Sequence, residues 1–196
     1  MTNDKLFVWA VNSSDDSVYV INANTNAVTS KITVGDDPQA IALDPNSEYA
    51  YVANAAGNSV SVIHITGGGA GGNVERTYAT GAEPWNVVIS PDGKRVYVAN
   101  SVQDTITILK SDVAFPTLPS IIGNVELNNS ACNADNSKRH FQPRGLAVTL
   151  DSNKLYVTRF LSMVKLGGTQ ANDNGKEGLV CRLDIDTDAA TKAASV

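Results

Sequence analysis

Two cysteines, two histidines and two tryptophans are all that this chain of 196 residues holds of the side chains most often recruited for metal, redox and stacking chemistry. Cys132 and Cys181 fit no CxxC or CxxCH spacing, and two histidines make no cluster, so zinc, iron–sulfur and c-type haem centres have no ligand set. Neither a metal nor a cofactor is expected. Charged residues are 18% of the chain and the net charge is −5, so there is no general attraction for the phosphates of DNA, RNA or anionic lipid. No nucleic-acid partner is expected. No apolar run approaches the roughly 20 residues of a membrane span. Met1 to Asn12 lacks the basic and apolar regions of a secretory signal, which fits either a protein kept where it is made or one already trimmed. No stretch sustains a helical period. No Gly-x-Ser-x-Gly elbow occurs, and no catalytic residue is assigned from sequence.

What the chain does have is a repeat. Asp37-Pro38-Gln39-Ala40-Ile41-Ala42-Leu43-Asp44-Pro45 aligns with Glu83-Pro84-Trp85-Asn86-Val87-Val88-Ile89-Ser90-Pro91 and with Gln142-Pro143-Arg144-Gly145-Leu146-Ala147-Val148-Thr149-Leu150. Each copy is followed by a second landmark, Tyr51-Val52-Ala53-Asn54, Tyr97-Val98-Ala99-Asn100 and Tyr156-Val157-Thr158-Arg159, whose last residue stands 16 positions after the lead proline. The lead prolines themselves, at 38, 84 and 143, stand 46 and then 59 residues apart. A rigid inner spacing with an elastic outer one marks a structural unit whose insertions are confined to loops. An earlier partial copy, Trp9-Ala10-Val11-Asn12, leads into Ser17-Val18-Tyr19-Val20-Ile21-Asn22.

Each unit reads as four short strands, A to D, because β-branched alternation is punctuated by turn residues. Strand A ends at Asp44-Pro45-Asn46-Ser47 or Ser90-Pro91-Asp92-Gly93, where proline pre-sets the turn. Strand B is the Tyr-Val element, and strand C is Ser59-Val60-Ser61-Val62-Ile63-His64 or Thr105-Ile106-Thr107-Ile108-Leu109. Strand D of the first unit is Ala27 to Val34. The fold class is all-β, with about four four-stranded antiparallel blades.

These units resemble the YVTN β-propeller repeat of bacterial and archaeal surface proteins, a group that includes the lactonase-like seven-bladed propellers. The resemblance runs from residue 6 to about 188. It implies a single partial β-propeller over 1–196, since a seven-bladed ring at this repeat length needs roughly 300 residues or more. Three arrangements suit that count: a piece of a longer chain, a ring shared between chains with self-association through open blade edges, or a closed four-bladed ring.

Antiparallel succession puts the D-to-A and B-to-C loops on one face, called the top, and the other loops on the opposite face. Two insertions, near 110–142 and 161–177, are expected on the top, although Ile121 to Leu127 within the first is a candidate strand D. Cys132 in one and Cys181 just after the other either form a disulfide that pins the two loops or stand as separate thiols. The residue after each lead proline is Gln39, Trp85 or Arg144, and strand B ends in Asn54, Asn100 or Arg159. The third full unit also has His140 where Gly35 and Gly81 stood, preceded by Lys138 and Arg139, with Lys165 in the next insertion. Trp85, Arg139, His140, Arg144, Arg159 and Lys165 are thus the candidate ligand-binding rim, and a cationic patch on an acidic protein suits a carboxylate or phosphate. The plainer reading pairs these arginines with Asp135, Asp173 or Glu177. Asp184-Ile185-Asp186-Thr187-Asp188 lacks the sixth-position glycine and twelfth-position glutamate of a calcium loop and is read as a C-to-D turn. Gly67 to Gly72 lacks the following lysine of a phosphate loop and is read as a flexible hairpin. His64 is read as packing or solvent-facing.

The expected function is a non-enzymatic recognition or scaffold module, exported or at the cell surface, extracellular or periplasmic. Its partner would be a protein, a glycan or a small anionic ligand on the top face. The alternative implied by the resemblance is a lactonase-like hydrolase of sugar lactones, with His140 as base and the arginines as oxyanion donors.

Overall fold

A computed structural model describes residues 1–113, 115–128, 132, 140–164, 168 and 176–185. They form an arc of four antiparallel sheets, each a propeller blade. Blade one holds β1 (Phe7–Asn12), β2 (Ser17–Asn22) and β3 (Val28–Thr33), which are its strands B, C and D. Blade two runs in order through β4 (Pro38–Leu43), β5 (Tyr49–Asn54), β6 (Ser59–Thr66) and β7 (Gly71–Ala79). Blade three repeats this with β8 (Pro84–Ile89), β9 (Arg95–Asn100), β10 (Thr105–Lys110) and β11 (Ser120–Glu126). In blade four β12 (Pro143–Val148) and β13 (Lys154–Arg159) are followed by a small hairpin of β14 (Met163–Val164) and β15 (Lys176–Glu177) before β16 (Val180–Asp184) completes the sheet. The weak strand D expected at 190–196 lies outside the described residues.

Period-2 alternation explains the packing, since successive side chains of a strand face the two neighbouring blades. On β5, Ala50 and Val52 join Val18, Val20 and Trp9 of blade one, while Tyr49, Tyr51 and Ala53 meet Val87, Val96 and Val98 of blade three. On β9, Tyr97 and Ala99 turn instead to Leu155 and Val157 of blade four. The core is therefore three slabs between blades. Each fully buried Val, Leu or Ile contributes about 1.5–3 kcal/mol relative to exposure. Burial also pushes the Tyr51 and Tyr97 phenols above their ordinary range, so both are neutral core residues. Beyond blade four the same positions are open. Tyr156, the counterpart of the fully buried Tyr51 and Tyr97, is 37% exposed, and Val180, the counterpart of Ile106, is 60% exposed.

Within the stretch 110–142 the candidate strand D at Ile121 to Leu127 is β11 of blade three, so the stretch is not one top-face insertion, and residues 111–113 and 115–119 belong to the C-to-D loop on the opposite face. Pairing with β10 satisfies the outer backbone edge of that strand, which a loop at this place would leave open. The 111–119 loop is tied to blade two: Tyr49 and Tyr78 donate their hydroxyls to the Thr117 and Pro119 carbonyls, and Phe115 stacks on His64 at 4.2 Å. The glycine hairpin is likewise pinned, because Trp9 Nε1 donates to the Gly69 carbonyl at 3.0 Å. Gly67, Gly68 and Gly69 all have positive φ there, which no branched side chain tolerates.

The A-to-B turns rest on a side-chain acceptor at their first residue. Glu48 N donates to Asp44, Arg95 N to Ser90 and Lys154 N to Thr149. Asp44 is nearly buried, and burial is the main reason its carboxyl is held above the ordinary 3.8, aided by the Glu48 charge and opposed by the Glu48 and Tyr49 amides. A carboxyl with a raised folded-state pKa contributes stability below its unfolded value and loses it as pH rises through the folded value. Asp44→Asn keeps the acceptor and removes the charge. We expect denaturation in urea across pH 3–7 to show a gain in stability at neutral pH and a flatter decline above about pH 4.

Candidate active site

The top-face loops are joined in a chain of local contacts that the repeat dictates. The residue before each strand C is Asp16, Asn58 or Asp104, with φ of 53°, 47° and 59°. Each uses its side chain to accept the amide just ahead of the next lead proline, from Asp37 at 2.9 Å, Glu83 at 2.8 Å and Gln142 at 2.6 Å. These donors also have positive φ, 53°, 54° and 51°. Asp16, Asn58 and Asp104 are thus staples between successive blades.

At Asp104 the staple carries more. Its carboxylate is 2% exposed and accepts Nδ1 of His140 at 2.5 Å and Nδ2 of Asn128 at 2.7 Å, besides the Gln142 amide. Asn128 in turn accepts the Phe141 amide at 3.1 Å. A carboxylate oxygen only accepts, so Nδ1 of His140 carries the proton, and in the neutral ring Nε2 holds the lone pair. The His140 ring is otherwise open, with its side chain 69% exposed. Its carbonyl accepts Nη2 of Arg159 at 3.0 Å, and Arg159 is buried. This is a carboxylate–histidine pair with a buried orienting group and an accessible base.

Four residues further along the chain stands a stacked cation. The Arg144 guanidinium lies 3.4 Å from the centre of the Trp85 ring and 4.5 Å from that of Phe160, with Glu83 at 3.9 Å from Nη2. Arginine gains most from such faces, and a weak, partly exposed ion pair leaves its charge available to an anion. Phe160 itself is 56% exposed.

Of the six rim residues expected from sequence, the structure joins His140 to Arg159 and Arg144 to Trp85. Arg139 and Lys165 lie outside the described residues, as do Asp135 and Asp173, and nothing is described of the Glu177 side chain. Cys132 and Cys181 are joined as a disulfide with Cα atoms 5.2 Å apart, both buried among Leu127, Phe141 and Leu155. Sequence reasoning missed Asp104, Glu83 and Phe160. For Asp104 a signal existed, since Asp16, Asn58 and Asp104 align ahead of Ser17, Ser59 and Thr105. Among the described residues no group of three or more His, Cys, Asp or Glu is placed to hold a metal, and no helix is long and apolar enough to cross a membrane.

A four-stranded blade repeated around an arc defines a β-propeller. The profile of the lactonase seven-bladed β-propeller family matches residues 3–134, more than half of the chain, and the protein belongs to that family. Trp85 and Asp104 lie within the match; His140, Arg144 and Arg159 lie beyond it. No curated protein sequence matches. Among solved structures, one similar chain is a protein of unknown function from Desulfotomaculum acetoxidans DSM 771, with TM-score 0.74 and 19% identity over 100% of this chain and 53% of that one. A protein provisionally named 6-phosphogluconolactonase, from Bacteroides uniformis ATCC 8492, gives TM-score 0.67 and 12% identity over 96% of this chain and 53% of that one. Hydrazine synthase of Kuenenia stuttgartiensis gives TM-score 0.56 and 22% identity over 96% and 62%. At these identities the likeness is one of fold, and the chain spans little more than half the length of these relatives.

Proposed function

We propose that the protein is a lactonase-like hydrolase that opens sugar lactones on its top face. The observation that carries this reading is the Asp104–His140 pair, a general-base arrangement on a propeller of the lactonase family. Asp104 holds the ring in the tautomer that leaves Nε2 free to accept a proton. In the proposed reaction Nε2 takes a proton from water, and the water oxygen bonds to the lactone carbonyl carbon. The ring C–O bond then breaks, and the proton passes from His140 to the leaving alkoxide, giving the open hydroxy acid. Arg144, steadied between Trp85 and Phe160, supplies positive charge for the developing oxyanion or for an anionic substituent on the sugar.

This reverses the order of the functional expectations, because the family match and a provisionally named 6-phosphogluconolactonase among the structural neighbours favour hydrolysis over a binding-only module. The proposal retains an extracytoplasmic location, supported by the disulfide, which persists best in oxidising compartments. It also retains the YVTN assignment of the repeats, supported by the Tyr-Val strands that fill the slabs between blades. The test is acid release from five- and six-membered aldonolactones, neutral and phosphorylated, measured above spontaneous opening. Turnover of at least one class is expected. Saturable binding of the same lactones without turnover would overturn the hydrolase reading in favour of recognition.

A further inference from the structure

Blades two and three share a four-residue device at the top of strand B. Asn54 Nδ2 donates to the Ser59 and Ser61 hydroxyls at 3.1 and 3.0 Å, and Asn100 Nδ2 to those of Thr105 and Thr107 at 2.9 and 2.8 Å. The fourth member is glycine. A Cβ on Gly35 would lie 2.7 Å from the Asn54 amide nitrogen, and one on Gly81 would lie 2.8 Å from the Asn100 side chain. So long as asparagine ends strand B, only glycine fits three residues before the lead proline.

Blade four changes all four positions together. Asn becomes Arg159 and Gly becomes His140. The first hydroxyl gives way to Leu179, whose carbonyl accepts the Arg159 amide, and the second to Cys181, which pairs with Val157 as Ser61 does with Val52 and Thr107 with Val98. Arg159 has no short amide to crowd a neighbouring Cβ, and its longer stem carries Nη2 to the His140 carbonyl. The side chain thereby admitted at 140 is the one that Asp104 captures.

We propose that Arg159 is the positioning residue for His140: it opens the space a side chain needs there and fixes the backbone from which the ring meets Asp104. Arg159 touches no reacting atom in this account. The inference rests on the hydrolase reading for its kinetic readout alone, since the ring's placement is measurable without turnover. The chain's two histidines, His64 and His140, make the ring nitrogens separable by NMR. In the wild type we expect His140 to show a single tautomer protonated at Nδ1. Arg159→Met keeps the stem and removes the donor; it should mix the tautomers and lower kcat about 10- to 100-fold with little change in KM. Arg159→Lys, which keeps a donor, should recover part of both. Arg159→Asn should lower the melting midpoint in the wild-type background by at least about 2–4 °C more than in the His140→Gly background, where the clash is absent. An unchanged His140 tautomer in Arg159→Met, or additive melting shifts, would overturn the proposal. A shifted tautomer in a protein that turns over no lactone would leave the positioning intact and refute the hydrolase reading.

Discussion

His140→Ala should reduce lactone opening by about 10²–10⁴-fold in kcat/KM, the usual worth of a general base, while the melting midpoint stays within about 1–2 °C. Stability should hold because the ring is 69% exposed and packs in no slab between blades. Asp104→Asn is the sharper companion. Blade two already uses asparagine at this place: Asn58 accepts the Glu83 amide at 2.8 Å through Oδ1. The amide that Asp104→Asn introduces can therefore keep the Gln142 staple. What the variant loses is the carboxylate that fixes the Nδ1–H tautomer, because an amide that gives Oδ1 to Gln142 turns its NH₂ toward the ring. Activity should fall, with a moderate loss of stability, because the same NH₂ also meets the Nδ2 donor of Asn128 in a buried site. Residual activity above a tenth of wild type in both variants would remove the pair from the chemistry.

The second large effect concerns the disulfide. Cys132 and Cys181 are 49 residues apart in sequence, and tying a loop of that length restricts the unfolded chain by about 4 kcal/mol in the chain-entropy account. Replacing both by alanine, or reducing the bond, should lower the melting midpoint by roughly 8–16 °C for a chain of this size. Both sulfurs sit in the slab that also holds Leu127, Phe141, Leu155 and Leu183. The bond therefore ties Cys132 to the outer strand of blade four. Activity measured well below the midpoint should drop too, through a looser Asp104–Asn128–His140 contact. A double variant that melts within a few degrees of wild type would show that the slab holds without the bond.

Much of this architecture could be read from residues alone, and the reason is periodicity. The fixed 16-position spacing from lead proline to strand B end corresponds to one β-hairpin, and a hairpin's register is set by its own turn. Its repetition located strands A, B and C of the full blades. Strand D was harder, because β11 follows a nine-residue connection with its own tertiary anchors on Glu48, Tyr49 and Tyr78 of another blade. Nothing local in 111–119 announces those partners. The site divides in the same way. His140 and Arg159 stood out as departures from a repeat whose other copies have Gly and Asn. Asp104 did not, because it obeys the repeat, and its second role exists only where a histidine has come within reach. Phe160 takes the place of Ala55 and Ser101 and makes the same backbone bond to the residue ahead of the lead proline, but the small side chains of the other copies gave no hint of its contact with Arg144.

In the proposed mechanism His140, held by Asp104, is the base that activates water. The pH dependence of kcat/KM for the best lactone substrate, corrected for spontaneous opening, tests it most directly in wild type and His140→Ala side by side. The wild-type rate is expected to climb with pH along a single-proton limb, as a general base requires, and this limb should be absent from the variant's residual rate. The same limb in both proteins, at comparable height, would contradict it.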